Sequence, residues 1–459
     1  MMRKPKPGCF ILLVLFLLFI LFFVVLSLVA RRTTPGWPMR VEGIRLRPLL
    51  PLLDPGDIDT DNGSWYLINP DFRYALSAAE KTEYDAMVAG GDLAACTNLL
   101  AWMELNQGWL EPLRKCAGAK TYQVPTITNI TATAVGISSF LDIQRRLRVW
   151  MEKRAQEGEW VSVSEALDLQ GQLNQAVSRG GPLINHLVGN AGSRALADAA
   201  NHFREQYDLP PEQIQAWQAC IRKQAEQRQS LDETFRYELL FAGSAIDTAY
   251  GQGVGALTGG GNSLRFLSPL AVFMGSSPRK TRAHFNDYYS HLIHESTLPV
   301  YTNHAEAVVE NFLTESGSLL WLRPDPIGRV MAALLVPAIR SSRIAEANTQ
   351  VQLDLADIGL AIEHWIHRHG APPAELESLV PEYLAAVPLD LFDPSGAPIR
   401  YATQEAAWRV YSVGENFTDD GGRVPVRFPG KQKVTEGSDH ILFSDHEARV
   451  RVQREGKDR

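Results

Sequence analysis

The feature that most constrains this chain is "CFILLVLFLLFILFFVVLSLVA", Cys9 to Ala30, a run without a charge or a proline. At helical rise it has the length that crosses about 30 Å of hydrocarbon. It predicts one transmembrane helix. Arg3, Lys4 and Lys6, with the free amine, outweigh Arg31 and Arg32, so the positive-inside rule keeps residues 1–8 in the cytoplasm and sends the rest outward. The competing reading is a cleaved signal peptide, but the run exceeds the usual apolar segment and Leu28-Val29-Ala30 is a poor cleavage site.

After the span, residues 31–66 are rich in proline, glycine and aspartate without helical periodicity, and read as an extended stalk. The full chain has ordinary globular composition, 45% hydrophobic and 21% charged. A net charge of -7 without a basic stripe argues against nucleic acid as a partner. Cys9 lies in the span. In the oxidising compartment that this topology implies, Cys96 and Cys116 could staple a helical hairpin, leaving Cys220 a buried free thiol.

Residues 67–340 carry apolar positions three and four apart, as in "SSFLDIQRRLRVWMEKRAQ" and "PPEQIQAWQACIRKQAEQ", and predict an all-helical domain. Ser77 with Glu80, and Ser162 with Glu165, each read as a capping box opening a helix. Pro210 and Pro211 sit where a helix start tolerates a missing amide. The glycine-rich insert from Tyr250 to Ser263 lacks a preceding strand and a following lysine, so a loop is favoured over a phosphate cradle. Trp102, Trp109, Trp150 and Trp160 read as core rather than as ligand platforms.

A last long helix is predicted from about Ser341 to His369, with Ile344, Val351, Leu355, Ile358, Ile362 and Trp365 on one face. Gly370 supplies a left-handed cap, His367 to His369 suit the negative helix end, and Pro372 and Pro373 stop continuation. Beyond it the period falls to two: "IRYA", "WRVYSV", "HILF" and "ARVRVQ" alternate as strands of a small antiparallel sheet. The segment "PLDLFDPSGAPIRY" joins helix to sheet through successive turns. The fold class is therefore mainly α, with a small α+β domain over 341–453 and a disordered tail at 454–459.

The ordered series "HRHGAPP", "LVPEYLAAVPLDLFDPSGAPIRY", "WRVYSVGENFTDDGG" and "SDHILF" resembles the C-terminal domain of the major pseudopilin of bacterial type II secretion systems. The series also resembles a set of membrane-anchored bacterial envelope proteins that carry this domain. The resemblance implies a long helix on a three-stranded antiparallel sheet, a bacterial inner-membrane location with the bulk in the periplasm, and partners among envelope or secretion proteins. It also implies a calcium loop from Gly414 to Asp439, with Asn416, Asp419, Asp420 and Asp439 as oxygen donors. Calcium is a hard cation that takes six to eight oxygens, and clustered carboxylates suit it; the bland alternative is a solvated turn. The start of the chain departs from a pseudopilin: Gly8 is followed by Cys9 and Phe10, and Leu13 stands where the family has glutamate. A role as envelope scaffold or interaction component follows, rather than polymerisation.

A hydrolase is the runner-up, with its site around the histidines from 284 to 304. His291 and His294 stand three apart beside Glu295, with His304 ten residues on, which is not the zincin order. Surface histidines explain them adequately, as helix-end charge explains His364, His367 and His369. No nucleophile elbow is present.

Overall fold

Helices form wherever apolar residues recur three and four apart. The computed structural model describes residues 58–68, 75–125, 137–252, 277–302, 325, 328, 339–404, 407–422 and 440–443. The predicted span Cys9–Ala30, residues 31–57 of the stalk, the glycine-rich insert from residue 253, His304, Asp439 and the "ARVRVQ" strand lie outside the described residues. Among the described residues no helix is long and apolar enough to cross a membrane.

Eleven α-helices are described: α1 (Trp65–Ile68), α2 (Ala78–Val88), α3 (Thr97–Leu105), α4 (Glu111–Ala117), α5 (Ile137–Gln156), α6 (Trp160–Ser178), α7 (Leu183–Gln206), α8 (Pro211–Gln227), α9 (Leu231–Gln252), α10 (Pro278–Glu295) and α11 (Ile339–His369). Three strands follow: β1 (Arg400–Gln404), β2 (Ala407–Ser412) and β3 (His440–Phe443), antiparallel in the order β1-β2-β3. The chain is thus mainly helical with a small sheet, as its periodicities indicate.

Helices α5 to α8 share one core. Phe140, Ile143, Leu147 and Met151 of α5 meet Leu169, Leu173 and Ala176 of α6, Leu196, Ala200 and Phe203 of α7, and Ile214, Trp217 and Ile221 of α8. A Cβ at Gly192 of α7 would lie 2.2 Å from Asn174 and 2.7 Å from Phe140, so this close approach requires glycine. The N-terminal helices are tied on by a buried cation: Arg146 of α5, fully buried, donates to Glu80 at 3.1 Å and to the Ala75 carbonyl, 3.6 Å above the Trp102 ring. Glu80 is also the capping-box residue, accepting from the Ser77 amide at 2.7 Å while the Ser77 hydroxyl accepts from the Glu80 amide.

Two local expectations change. Helix α6 begins at Trp160, so Ser162 lies inside it; its hydroxyl meets Glu159, and Glu165 turns to Arg114 at 2.7 Å instead of closing a capping box. Cys96 and Cys116 are free thiols, because each faces a different backbone carbonyl, that of Glu83 and that of Gly63. Burial pushes the Cys116 thiol up to about 12, and Cys220, free but only partly buried, equally.

Helix α11 has two apolar stripes rather than one. Leu353, Ala356 and Leu360 enter the core of the α5–α8 bundle. Val351, Leu355, Ile358 and Ile362 enter a second core with Leu379, Phe392, Trp408, Val410 and Leu442 of the C-terminal segment. A helix apolar on opposite sides is a buried helix. It ends as predicted, at Gly370 with φ +78. At Gly359 an added Cβ would lie 2.6 Å from Leu442, so the sheet closes directly onto the helix backbone there. Strand β2 alternates, with Trp408, Val410 and Ser412 facing inward.

If α11 joins the two cores into one cooperative unit, Leu360→Ala on the bundle side and Ile362→Ala on the sheet side should each cost roughly 2–5 kcal/mol. Both should move a single urea transition; two separate transitions, each answering to one variant, would show independent units.

Candidate functional site

The seam between α11 and the bundle is polar where the apolar stripes end. Glu346 accepts from Asn190 at 2.9 Å and from Arg228 at 3.0 Å, and lies 2.9 Å from His186 Nε2. Burial works to raise its pKa, but Arg228 with His186 and Asn190 holds it down to about 2. Asp357 receives Arg222 at 3.0 Å, and Glu363 receives Arg204 at 3.1 Å. Acids on α11 thus meet arginines on α7 and just beyond or within α8. Asp354 differs: its bond is from Gln350 at 2.8 Å, and burial, with Asp357 nearby, pushes it up to about 7.

The predicted calcium donors stand on a loop that leaves β2 through a 3-10 turn, Gly414–Asn416. Phe417 has φ +58, and Gly421 and Gly422 are also left-handed, so the chain doubles back tightly. Asn416 donates to Asp420 at 2.8 Å and accepts from the Thr418 amide at 2.9 Å. Asp419 accepts from the Gly421 amide at 2.8 Å with one oxygen, and pairs with Arg400 Nε at 2.8 Å with the other. The structure therefore brings Asn416 and Asp420 together and turns Asp419 toward β1, while Asp439 lies outside the described residues. Among the described residues no three histidine, cysteine or acidic side chains group as a metal site. The donors in view fall short of the six to eight oxygens that calcium takes.

Arg400 was not singled out by sequence reasoning, yet it organises the whole connection from helix to sheet. It donates to Asp390 at 3.3 Å and to Asp393 at 2.5 Å as well as pairing with Asp419. Asp390, its side chain fully buried, also accepts from the Ser412 hydroxyl at 2.7 Å and from the Val413 and Phe392 amides. Asp393 is held down to about 2 by the Ser395 hydroxyl and amide together with Arg400. The carboxylates of the "PLDLFDPSG" turns are thus satisfied by an internal cation and by backbone amides.

A cleft of about 1020 Å³ is bounded by α2, α5, α6, α7, α11 and β3. On its wall Glu152 lies 3.1 Å from His202 Nε2, accepts from the Tyr207 hydroxyl at 3.1 Å and lies 3.9 Å from Arg148. Burial works to raise Glu152, but His202 and Arg148 leave its pKa lowered, while burial and Glu152 raise Tyr207 to about 12. A carboxylate orienting a histidine is half of a general-base arrangement. Among the described residues that line the cleft there is no serine, threonine or cysteine.

Of the histidines from 284 to 304, His284, His291 and His294 are among the described residues. His284 Nδ1 lies 3.0 Å from Asp325, which is almost fully buried, sits at φ +53 and accepts from Thr281 at 2.8 Å. Burial works to raise Asp325, but the bonds from His284 and Thr281 leave its pKa lowered. His291 is half-buried and His294 exposed, so they face differently on α10. No family model, curated protein or solved structure matches this chain.

The seam generates a pH dependence with a definite sign. Asp354 has a folded pKa above its unfolded one, so its contribution is full below about 3.8 and is lost as pH rises through about 7. Asp354→Asn removes that loss. The variant should exceed wild type by roughly 1–3 kcal/mol at pH 8, after discounting for its partly exposed edge, and by much less at pH 5, read from urea midpoints.

Proposed function

We propose that this chain is a single-pass, inner-membrane-anchored periplasmic scaffold or interaction protein that presents a pseudopilin-like domain, with envelope or secretion proteins as its partner class. The anchor is Cys9–Ala30, and the presenting surface is the C-terminal helix and sheet. The observation that carries the reading is α11, held on one flank by Leu353, Ala356 and Leu360 in the bundle and on the other by the sheet core. Such a helix fixes the sheet rigidly to the helical domain, which suits a platform and leaves no hinge for a closing active site. The arrangement of a long helix on three antiparallel strands is the one the pseudopilin resemblance implies. Likeness of fold supports an interaction role only by analogy.

Calcium belongs to this reading as a stabiliser of the loop after β2. Asp419, Asp420 and Asn416 would hold it, with Asp439 completing the donor set. The ion would supply positive charge among clustered carboxylates. The test is the melting temperature of the full chain in detergent, with calcium and with chelator. Binding restricted to the folded state at a hundred times the dissociation constant adds about 2.7 kcal/mol, and Asp419→Asn with Asp420→Asn should abolish the gain. An unchanged melting temperature would remove calcium and leave the loop to Arg400.

A membrane-tethered hydrolase remains the second reading, favoured by one observation, the Asp325–His284 pair at 3.0 Å. If it holds, His284→Ala should lower hydrolysis of ester or amide substrates by a factor of roughly 100 or more, without a matching loss of folding. Equal background rates for wild type and variant would dismiss it.

A further inference from the structure

Two side chains on the wall of the cleft beside α7 are within a ligand's reach and have unused bonding capacity. Arg148 of α5, its side chain 15% exposed, lines the cleft and makes no hydrogen bond among the described residues. Its nearest carboxylate oxygen, Glu152 Oε2, lies 3.9 Å away, beyond hydrogen-bond distance. The Phe203 ring lies 4.7 Å from the guanidinium carbon and covers one face, which leaves the N–H edge for an acceptor. His202 of α7, its side chain 39% exposed, lines the same cleft. Its Nε2 lies 3.1 Å from that same Glu152 oxygen, and its Nδ1 is bonded to nothing among the described residues. Glu152 is held in place, because its other oxygen accepts from the Tyr207 hydroxyl at 3.1 Å. With Nε2–H donated to the carboxylate, the ring keeps the Nδ1 lone pair as an acceptor.

An ion-pair staple between α5 and α7 needs neither an exposed imidazole nor a guanidinium without hydrogen bonds. Hydrolysis by activated water needs both: a base oriented by a carboxylate, and a cation beside the oxygen on which charge develops. Water is then the nucleophile, so a lining without serine, threonine or cysteine is no obstacle. A phosphate ester fits poorly, because Glu152, 3.9 Å from the guanidinium, would face its negative charge. A neutral carboxylic ester meets Arg148 through its carbonyl oxygen. Met87, Met151, Leu355 and Leu442 give an aliphatic acyl chain an apolar wall.

We propose that this cleft hydrolyses carboxylic esters of aliphatic acids, with His202 as general base, Arg148 as partner of the developing oxyanion and Glu152 as a positioning residue. His202 Nδ1 takes a proton from water as the water oxygen bonds to the ester carbon, and the carbonyl π pair moves onto oxygen beside Arg148. Collapse re-forms the carbonyl, breaks the bond to the alkoxy oxygen and passes the proton from His202 to that oxygen. Ester and water thus give acid and alcohol with no further reactant. The activity is separate from the interaction role proposed above and from the His284–Asp325 pair.

The experiment uses the full chain in detergent with p-nitrophenyl butyrate, followed by release of nitrophenolate. His202→Ala should lower kcat/KM by roughly 100-fold or more, and Arg148→Met by a similar factor. Glu152→Gln should lower kcat with little change in KM. Wild-type kcat should be smaller in deuterium oxide than in water, since a proton moves in the step. The proposal falls if the ester is cleaved no faster than in buffer, if folded His202→Ala keeps the wild-type rate, or if His284→Ala abolishes the rate in its place. Should His202→Ala fail to fold, His202→Gln carries the same test, and a kcat equal in the two solvents overturns the proposal on the unmodified chain alone.

Discussion

Everything described in this chain depends on one helix having to satisfy two cores at once. The stripe Leu353, Ala356 and Leu360 is buried in the bundle, and the stripe Val351, Leu355, Ile358 and Ile362 is buried under the sheet. Between the stripes the helix surface carries acids: Glu346, Asp357 and Glu363, withdrawn from water, are paired with arginines, while Asp354 is bonded by Gln350. The pairing arginines lie on α7 and along or just past α8, so the polar seam sets the register that the apolar stripes leave free to slide. Apolar burial supplies the bulk of the stabilisation and the ion pairs supply the position. Near Gly359 the sheet approaches so closely that a single methyl group would meet Leu442.

Much of the architecture was legible in the sequence because periodicity is a local signal. Helix α11, its glycine stop, the proline start of α8 and the strands from Arg400, Ala407 and His440 all follow from spacings of three, four or two. What was not legible is pairing at a distance. The stripe through Leu353, Ala356 and Leu360 is present in the sequence, but recognising its partner requires knowing that α7 and α8 lie against it. Ser162 misled because a serine three residues before a glutamate looks the same at a helix start and inside one; Arg114, 51 residues away from Glu165, decided the matter.

The site was less legible for the same reason. Carboxylates clustered in turns suggest a metal when the neighbouring chain is read alone. The antiparallel bridge between Leu389 and Pro398 brings Arg400 beside Asp390 and Asp393, and a cation seven to ten residues away in sequence becomes a neighbour in space. Glu152 and His202 are 50 residues apart on two helices, with no motif joining them. The burial of Gln144 and Gln170 is invisible to any linear pattern, since glutamine is read as a surface residue until burial says otherwise.

The free state of Cys96, Cys116 and Cys220 bears on where and when this fold can form. Two of these thiols are sealed in the core, and burial raises the pKa of all three, so little reactive thiolate is present. The described helices are held by packing, buried ion pairs and backbone bonds, none of which requires an oxidant. The redox poise of the surroundings therefore neither assembles nor dismantles them, and the same structure is accessible on either side of a membrane that separates reducing from oxidising solvent.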